Sequence, residues 1–454
     1  MKVIDHALEI LRRRSVDGYE IYVDRSTHLY VESKDAKVDT FQTSRSLGIA
    51  FRILNRQRMG FSYITSSGED AREDVERVID DAIQSAEPTS GDPCFDFSPV
   101  LKESPPCPPI FDETMEETSQ EAKIEKARRL EEVTRSVDPE RITKVRKASY
   151  EEVISRITLV NSNGFQFSYA SSLASTSVTA IAQDGGESEV GWDFDFSHFH
   201  KDLDVERVGR DAALKALERL AGRRIASGLY PILIRNQVAS EFLSLLAFAF
   251  LSEQVQKGKS PLKGKEGERC FSPLLSIVDD GLHPKGISTS PIDGEGTPTQ
   301  RTPLVVNGEL RGYLYDRYWA NRQNISQLTR WVESTGNSHR SSIKSPPGLG
   351  VSNLFIEPAK DPFPQLVKDL RRGVVIEEVM GLHTADPISG DFSLGCSGDW
   401  IENGERAYPV KSIAIAGNLF QLFKRVIQVG NDLRFFGRTG SPSLLIEELE
   451  VSGS

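Results

Sequence analysis

The most constraining feature of the sequence is one order of elements that occurs twice in the amino-terminal half. Each copy opens with apolar residues at helical spacing, continues with period-two alternation rich in β-branched residues, and closes with another helical stretch. These stretches are residues 3–14, 19–65 and 71–86 in the first copy, and residues 114–137, 142–196 and 205–220 in the second. The order predicts a duplicated helix–strands–helix unit with about four strands in the first copy.

A shared local pattern supports the duplication. Each copy has an alternating strand, a polar turn and then a glycine directly before an aromatic residue, Gly60-Phe61 in the first and Gly191-Trp192 in the second. Sequence identity between the copies is low, but the order of elements is the same. Between the copies, residues 88–112 are rich in proline, which discourages both helix and interior strand. We interpret that passage as a connector.

The carboxy-terminal half has a different pattern. A strand at Tyr230–Asn236 leads into a strongly apolar helix, Val238–Val255, which is apolar nearly all round and is expected to be buried. Asn307-Gly308 and Asn403-Gly404 each lie between alternating runs, and this pair tolerates the positive φ angles of a tight hairpin turn. Two hairpins are therefore predicted.

These patterns predict an α+β fold. We expect residues 1–225 to form the duplicated α+β domain and residues 226–454 to form a β-rich domain with a buried helix. Shorter helices are predicted at Phe363–Arg371 and Gly417–Val429, and a final strand at Ser443–Val451.

Composition excludes several classes of protein. No apolar run approaches the roughly 18 residues that span a bilayer, and the amino terminus alternates apolar and charged residues, so we expect a soluble chain without an export signal. Four cysteines, Cys94, Cys107, Cys270 and Cys396, form no CxxC pair, which favours the reducing cytoplasm. A formal charge of −11 disfavours nucleic acid as the main partner.

Acidic residues cluster in the Gly/Pro-rich segment around His283, where Asp279, Asp293 and Glu295 are expected to lie in loops together with Asp280. Carboxylates in such a segment bind a hard cation, cap turns or line a cleft, and turn chemistry alone explains most of them.

Histidines give weaker signals. His198 and His200 fall on one face of a predicted strand, where they either hold a metal or end the strand as exposed imidazoles. No spacing joins His383, Ser393 and Cys396 into a nucleophile and base.

Signature segments give a specific resemblance. Residues 272–320, which include VDDGLHPKG and DGEGTPTQRTPLVVNGEL, resemble blocks of the TldD/PmbA family, once called gyrase modulators. SGDFSLGCSGDWIENGERAYPV, IAIAGNLF and VGNDLRFFGRTGSP are similar to further blocks, and GYEIYVDRS resembles that family's amino-terminal domain.

The resemblance implies a branch without catalytic metal. In the TldD branch a helix carries HExxxH, whose histidines bind zinc and whose glutamate acts as general base, and a cysteine near the carboxy terminus completes the site. Here the corresponding positions are Ala247, Phe248 and Ser252, and Asn431–Pro442 contains no cysteine. No catalytic residue, metal ligand or cofactor is therefore expected in this chain, and zinc is expected in a TldD-type partner.

The function implied is that of a TldE/PmbA-like subunit, which joins a TldD-type zinc peptidase chain in a heterodimer that cleaves extended or unfolded peptides. Asp279, Asp293, Glu295, Arg311 and His383 are placed at the cleft or partner interface by their setting in the signature blocks. Two alternatives remain open: a self-sufficient hydrolase with a different site, using His198 and His200 or His383 and Ser393, and a non-enzymatic peptide-binding scaffold that forms a homodimer.

Overall fold

The computed structural model describes residues 2–66, 72–326 and 331–453. Its amino-terminal half contains the two predicted copies. The first copy consists of α1 (Lys2–Leu11), β1 (Gly18–Lys34), β2 (Lys37–Asn55), β3 (Arg58–Ser66) and α2 (Arg72–Ala86). After the single turn α3 (Thr114–Glu117), the second copy consists of α4 (Gln120–Ser136), β4 (Ile142–Asn161), β5 (Gln166–Asp184), β6 (Glu187–Ser197) and α5 (Val205–Glu218).

The two copies form one antiparallel sheet in the order β3-β2-β1-β4-β5-β6. The first strands of the copies pair at its centre, where Ser26 lies opposite Ser155. The prediction of about four strands in the first copy was wrong, because residues 37–55 form one long strand rather than two. The predicted helix over residues 114–137 is broken into α3 and α4, where Ser119 caps the second helix by accepting from Ala122 N.

Helices cover one face of this sheet, and two glycines set how closely they pack. A Cβ on Gly60 would lie 1.9 Å from the carbonyl oxygen of Ala82 in α2, and one on Gly191 would lie 2.2 Å from that of Ala212 in α5. The Gly-aromatic pairs of the two copies therefore mark equivalent helix–strand contacts.

The connector is fixed to the sheet by hydrogen bonds. Asn161 Nδ2 donates to the carbonyl of Ser98 at 2.8 Å, and Ser172 N donates to the carbonyl of Ile110 at 2.8 Å. The passage between Ala86 and Thr114 contains no helix or strand.

The carboxy-terminal half is richer in strands, as predicted. Its helices are α6 (Asn236–Phe250), α7 (Ser252–Gln256), α8 (Arg317–Ser326), α9 (Phe363–Leu370) and α10 (Leu419–Lys424). Its strands are β7 (Gly228–Ile234), β8 (Ile277–Asp280), β9 (Arg301–Val306), β10 (Glu309–Leu310), β11 (Ser338–His339), β12 (Gly348–Leu349), β13 (Leu354–Ile356), β14 (Gly373–Met380), β15 (Asp391–Glu402), β16 (Glu405–Asn418), β17 (Val426–Val429), β18 (Arg434–Phe436), β19 (Thr439–Ser441) and β20 (Leu444–Ser452).

Two large sheets enclose the core of this half. One has the order β10-β9-β8-β13-β19-β18. The other has the order β16-β15-β14-β7-β20-β17, and β16 also pairs with β20, so five strands close on themselves. The α+β prediction is confirmed, while the proposed boundary between residues 225 and 226, which falls between α5 and β7, stays a prediction.

Both predicted Asn-Gly hairpins are present, β9–β10 and β15–β16. Asn307 and Gly308 have φ of 49° and 80°, and Asn403 and Gly404 have φ of 55° and 78°. These angles match a type I′ turn, in which both central residues have positive φ.

The apolar helix α6 is buried between the two sheets, as predicted. It ends at Phe250 instead of Val255, because Leu314 N donates to the carbonyl of Phe250 at 2.9 Å and Leu251 forms a bridge with Leu314. Likewise, the helix predicted at Gly417–Val429 is the shorter α10 followed by β17. Within the described ranges, no helix is both long enough and apolar enough to cross a membrane.

Candidate functional site

The helix positions that the resemblance assigns to a zinc motif are mostly closed to solvent. Ala247 is 8% exposed near the end of α6, Phe248 is half-buried, and Ser252 at the start of α7 is fully buried. The three side chains provide a methyl group, a phenyl ring and a hydroxyl.

This donor set does not fit zinc, because structural and catalytic zinc sites use sulfur, imidazole nitrogen and carboxylate oxygen. Ser252 Oγ is a buried atom without a hydrogen-bond partner in the described structure, but one hydroxyl cannot replace two imidazoles. Residues 431–442, which contain β18 and β19, include no cysteine. Across the part of the chain that the structure covers, no three His, Cys, Asp or Glu side chains come together as a metal cluster.

The predicted acidic residues are buried side chains that hold loops in place. Asp279 lies in β8 with Asp280, so the expectation that both lie in loops was wrong. Asp279 accepts hydrogen bonds from Ser352 N at 2.8 Å and Asn337 Nδ2 at 2.6 Å. Burial raises its pKa to about 6, against the opposing effect of these bonds.

Asp293 accepts backbone hydrogen bonds within its own loop. One of its oxygens accepts from Glu295 N and Thr297 N at 2.9 Å each, and the other accepts from Ser338 N at 3.1 Å. Burial, and then the neighbouring Glu295 carboxylate, raise the pKa of Asp293 to about 7. The turn chemistry expected for this segment is therefore present at Asp293.

Glu295 belongs to a buried ion network that joins the two halves of the chain. Arg52 of β2 binds Glu20 of β1 through two nitrogens, at 2.8 and 2.7 Å, and Glu295 through the third, at 2.8 Å. Arg340 from the carboxy-terminal half also contacts Glu20. Burial alone would raise the pKa of Glu20, but Arg52 and Arg340 outweigh it and hold that pKa below its usual value.

The other predicted candidates lie apart from this network. Arg311 is exposed and pairs with Glu309 at 2.7 Å, and His383 is exposed in a short 3-10 turn, Leu382–Thr384. Among the described contacts, no hydrogen bond joins His383 to Ser393. Burial raises the pKa of the Cys396 thiol to about 12, so this group is no ready nucleophile.

His198 and His200 are buried, 5% exposed each, so the expectation of exposed imidazoles was wrong. His198 Nδ1 lies 2.7 Å from the carbonyl of Ser172 and its Nε2 lies 3.0 Å from the carbonyl of Gly286. His200 Nδ1 lies 2.9 Å from Asp112 Oδ2. The two imidazoles thus have separate partners, and His198 joins the second copy to the carboxy-terminal half.

Sequence reasoning missed a large cleft between the second copy and the carboxy-terminal half. Its volume is about 1470 Å³, and β6, α5, the start of α6 and β18 border it. Six phenylalanines line it: Phe194, Phe196, Phe199, Phe363, Phe435 and Phe436. None of the residues predicted for the cleft or interface lines this cleft: Asp279, Asp293, Glu295, Arg311 and His383 all lie elsewhere. The alternation of Trp192, Phe194 and Phe196 was a usable signal, because period two puts all three rings on one face of β6.

Paired charges border the same cleft. Buried Asp193 binds Arg434 at 2.8 Å, Arg207 at 3.0 Å and Lys215 at 3.5 Å. Arg434 also stacks over the rings of Phe194 and Phe436, with distances of 5.5 and 5.0 Å to the centroids. An apolar, aromatic lining with a few fixed polar groups is typical of a ligand-binding cleft.

Comparisons with known proteins agree along the whole chain. Models of the PmbA/TldA metallopeptidase domain 1, central domain and C-terminal domain match residues 19–86, 113–220 and 227–453. The metalloprotease PmbA of Escherichia coli O157:H7 is 28% identical, with 100% of this chain and 96% of that protein covered. A metalloprotease TldD homologue of Haemophilus influenzae is 23% identical, with 98% and 95% covered.

Solved structures show the same fold. A Thermotoga maritima protein described as a modulator of a DNA gyrase has a TM-score of 0.88 at 28% identity, with 99% of each chain covered. TldE from Thermococcus kodakarensis also has a TM-score of 0.88, at 23% identity, with 100% of this chain and 99% of that chain covered. Three domain models match in order along the chain, and relatives align over nearly their full length. This chain therefore belongs to the PmbA/TldD family.

Proposed function

We propose that this chain is the zinc-free, TldE/PmbA-type subunit of a cytoplasmic two-chain metallopeptidase, and that a TldD-type partner carries the zinc and the general base. The complex acts on extended or unfolded peptides. One observation carries the proposal: the motif positions at the end of α6 and the start of α7 hold buried Ala247, half-buried Phe248 and buried Ser252.

The reasoning rests on what those side chains can do. A methyl group and a phenyl ring neither coordinate zinc nor accept a proton, and the serine hydroxyl is closed to solvent. Relatives of both the PmbA and TldD types are named metalloproteases, which is consistent with zinc in the family. The chain then contributes structure and substrate contacts, for which the phenylalanine-lined cleft is suited.

In this proposal the five predicted residues fall into a buried group and an exposed group. Asp279, Asp293 and Glu295 are buried in the carboxy-terminal half, where they hold neighbouring segments in place, whereas Arg311 and His383 are exposed and accessible to a partner chain. An Arg311→Glu, His383→Ala double variant is then expected to bind the TldD-type chain more weakly in calorimetric titration. Unchanged affinity would remove these two residues from the interface.

Metal analysis and peptidase assays test the main proposal. The purified chain and the chain mixed with a TldD-type partner are each measured for zinc by mass spectrometry and for cleavage of an unstructured fluorogenic peptide. We expect substoichiometric zinc and no cleavage for the chain alone, and both zinc and cleavage for the mixture. One zinc per chain with chelator-sensitive cleavage by the chain alone would contradict the proposal.

A further inference from the structure

Three aromatic rings form a row along β6. Trp192, Phe194 and Phe196 alternate along the strand and project from one face of it. The centroids of successive rings lie 5.7 and 6.2 Å apart, and in each pair the ring planes are only 16° from parallel. All three side chains are half-buried. We call this row the β6 ladder, and a row of apolar rings that the core does not seal is typical of a binding surface.

The β6 ladder follows the cleft between the second copy and the carboxy-terminal half. Residues 194–199 of the second copy line that cleft without interruption, and so do residues 432–436 of the carboxy-terminal half. Trp192 lines a pocket of about 20 Å³ that shares Lys215 and Glu218 with the cleft. A ligand that lies along the cleft therefore lies along the ladder.

Contacts with the carboxy-terminal half hold the ladder in place. Phe196 packs against a buried apolar cluster that includes Phe435. Phe436 meets Phe194 edge-on, with ring centroids 5.9 Å apart, and Arg434 donates a hydrogen bond to the carbonyl of Phe194. Rings that are already fixed lose little conformational entropy when a ligand packs on them.

The backbone of β6 is closed to strand pairing. β6 is the last strand of the described sheet, so its outer edge pairs with no other strand of that sheet. Outward carbonyl groups on this edge accept hydrogen bonds from cationic side chains: Val190 from Arg219 at 2.7 Å, Trp192 from Lys215 at 3.3 Å and Phe194 from Arg434. Cations on a strand edge are a common device against unwanted pairing. A peptide in the cleft is therefore recognised through its side chains rather than by adding a strand to β6.

We propose that the cleft binds extended segments of unfolded chains in which apolar side chains occupy alternate positions, each packing on a successive ring of the β6 ladder. Side chains on one side of an extended chain recur about every 6.4–6.8 Å. This repeat is close to the 5.7 and 6.2 Å between the rings. Because alternation of apolar and polar residues is the pattern of sequences that form strands, the substrate class is the strand-forming segments of unfolded proteins.

Two fluorescent peptides of equal length and composition test the spacing. In one, three phenylalanines occupy every second position of a serine-rich chain; in the other, the same three are adjacent. An extended alternating peptide presents all three rings to the ladder, whereas the adjacent arrangement turns the middle ring away. Fluorescence anisotropy with the purified full chain should give the alternating peptide a dissociation constant about tenfold lower, because it keeps one more aromatic contact.

A variant and a matched control assign the preference to the ladder. Phe196→Ala leaves two rings, on which the two outer phenylalanines of the adjacent peptide pack as well as two of the alternating peptide, so the affinities should come within about twofold of each other. Leu214→Ser changes an apolar residue that lines the same cleft from α5, is 39% exposed and lies outside the ladder. This control should weaken both peptides alike and keep their ratio. The comparison on the parent chain needs no substitution, so it holds even if a variant folds poorly.

The inference rests on the proposed function, which it deepens by naming the peptides that the chain holds, but the two fail in different experiments. Equal affinities on the parent chain, tighter binding of the adjacent arrangement, no binding of either peptide, or a folded Phe196→Ala variant that keeps the full preference would each overturn the inference. The proposed function is judged separately, by zinc content and by cleavage in the mixture with the TldD-type chain.

Discussion

At the scale of single residues, Asp316 is a buried carboxylate whose charge opposes folding. It caps α8 by accepting from Trp319 N at 2.8 Å and is 5% exposed. Burial, and then Glu295, raise its pKa to about 7, whereas the unfolded chain has an ordinary aspartate pKa of about 3.9. The folded state therefore keeps a proton that the unfolded state has released, and stability falls as pH rises from about 4 to about 7.

Asp316→Asn keeps the cap and removes the charge. Relative to the parent, the variant should gain about 3–4 kcal/mol in free energy of unfolding at pH 8 but only about 1–2 kcal/mol at pH 5. Urea titrations at both pH values measure this. Asp5→Asn, on the exposed side of α1, is the control and should not change the pH dependence. An equal loss of stability at both pH values would show that the Asp316 charge is not what the fold opposes.

The sequence singled out the acidic residues but not their partners or their burial. Asp279, Asp293 and Glu295 were predicted because acids crowded a Gly/Pro-rich segment, which is a local signal. Arg52, which binds Glu295, lies more than two hundred positions away along the chain. Sequence periodicity relates only residues that are close along the chain. The ion network could therefore be identified only in the folded structure.

At the scale of elements, Gly191 fixes the distance between α5 and β6. A side chain there would meet the carbonyl of Ala212 at 2.2 Å and the amide of Ala216 at 2.4 Å, and these backbone atoms cannot turn aside as a flexible side chain would. Gly191→Ala should therefore lower the free energy of unfolding by about 1–3 kcal/mol, the usual cost of overpacking. Chemical denaturation measures the change.

A matched control separates crowding from the general effect of losing glycine. Gly348 in β12 has no atom within 4 Å of an added Cβ, so Gly348→Ala should be nearly neutral. Gly60→Ala should behave like Gly191→Ala, since its Cβ would meet Ala82 of α2 at 1.9 Å. If only one of the two glycines tolerated alanine, the equivalence of the helix–strand contacts in the two copies would fail.

Local signals predicted elements well where local chemistry decides them. The Asn403-Gly404 turn was predicted because these residues accept positive φ wherever they stand. The end of α6 was predicted wrongly because a hydrogen bond from distant Leu314 ends it. The pairing of β1 with β4, which merges the two copies into one sheet, also depends on contacts between distant segments.

At the scale of the whole molecule, the cleft between the second copy and the carboxy-terminal half should select peptides with large apolar side chains. Phe196 and Phe436 line it and remain partly exposed. A Phe196→Ser, Phe436→Ser variant should bind an unfolded aromatic-containing peptide at least about tenfold more weakly, because stacking and apolar burial are both lost. Fluorescence anisotropy measures the affinity, with exposed Phe41→Ser as control. Unchanged affinity would place peptide binding elsewhere.

The two halves of the molecule should unfold together because buried charges join them. Arg52 and Glu20 come from the first copy, Glu295 and Arg340 come from the carboxy-terminal half, and all four are nearly inaccessible to water. Removing one member leaves another charge buried without compensation, so Arg52→Leu should cost about 3–5 kcal/mol. Calorimetry should then show two transitions in place of one, because the junction weakens more than either core. Arg77→Leu removes exposed ion pairs with Asp74 and Asp81 and should leave a single transition at nearly the parental midpoint. A single unshifted transition in Arg52→Leu would mean that apolar contacts alone hold the halves together.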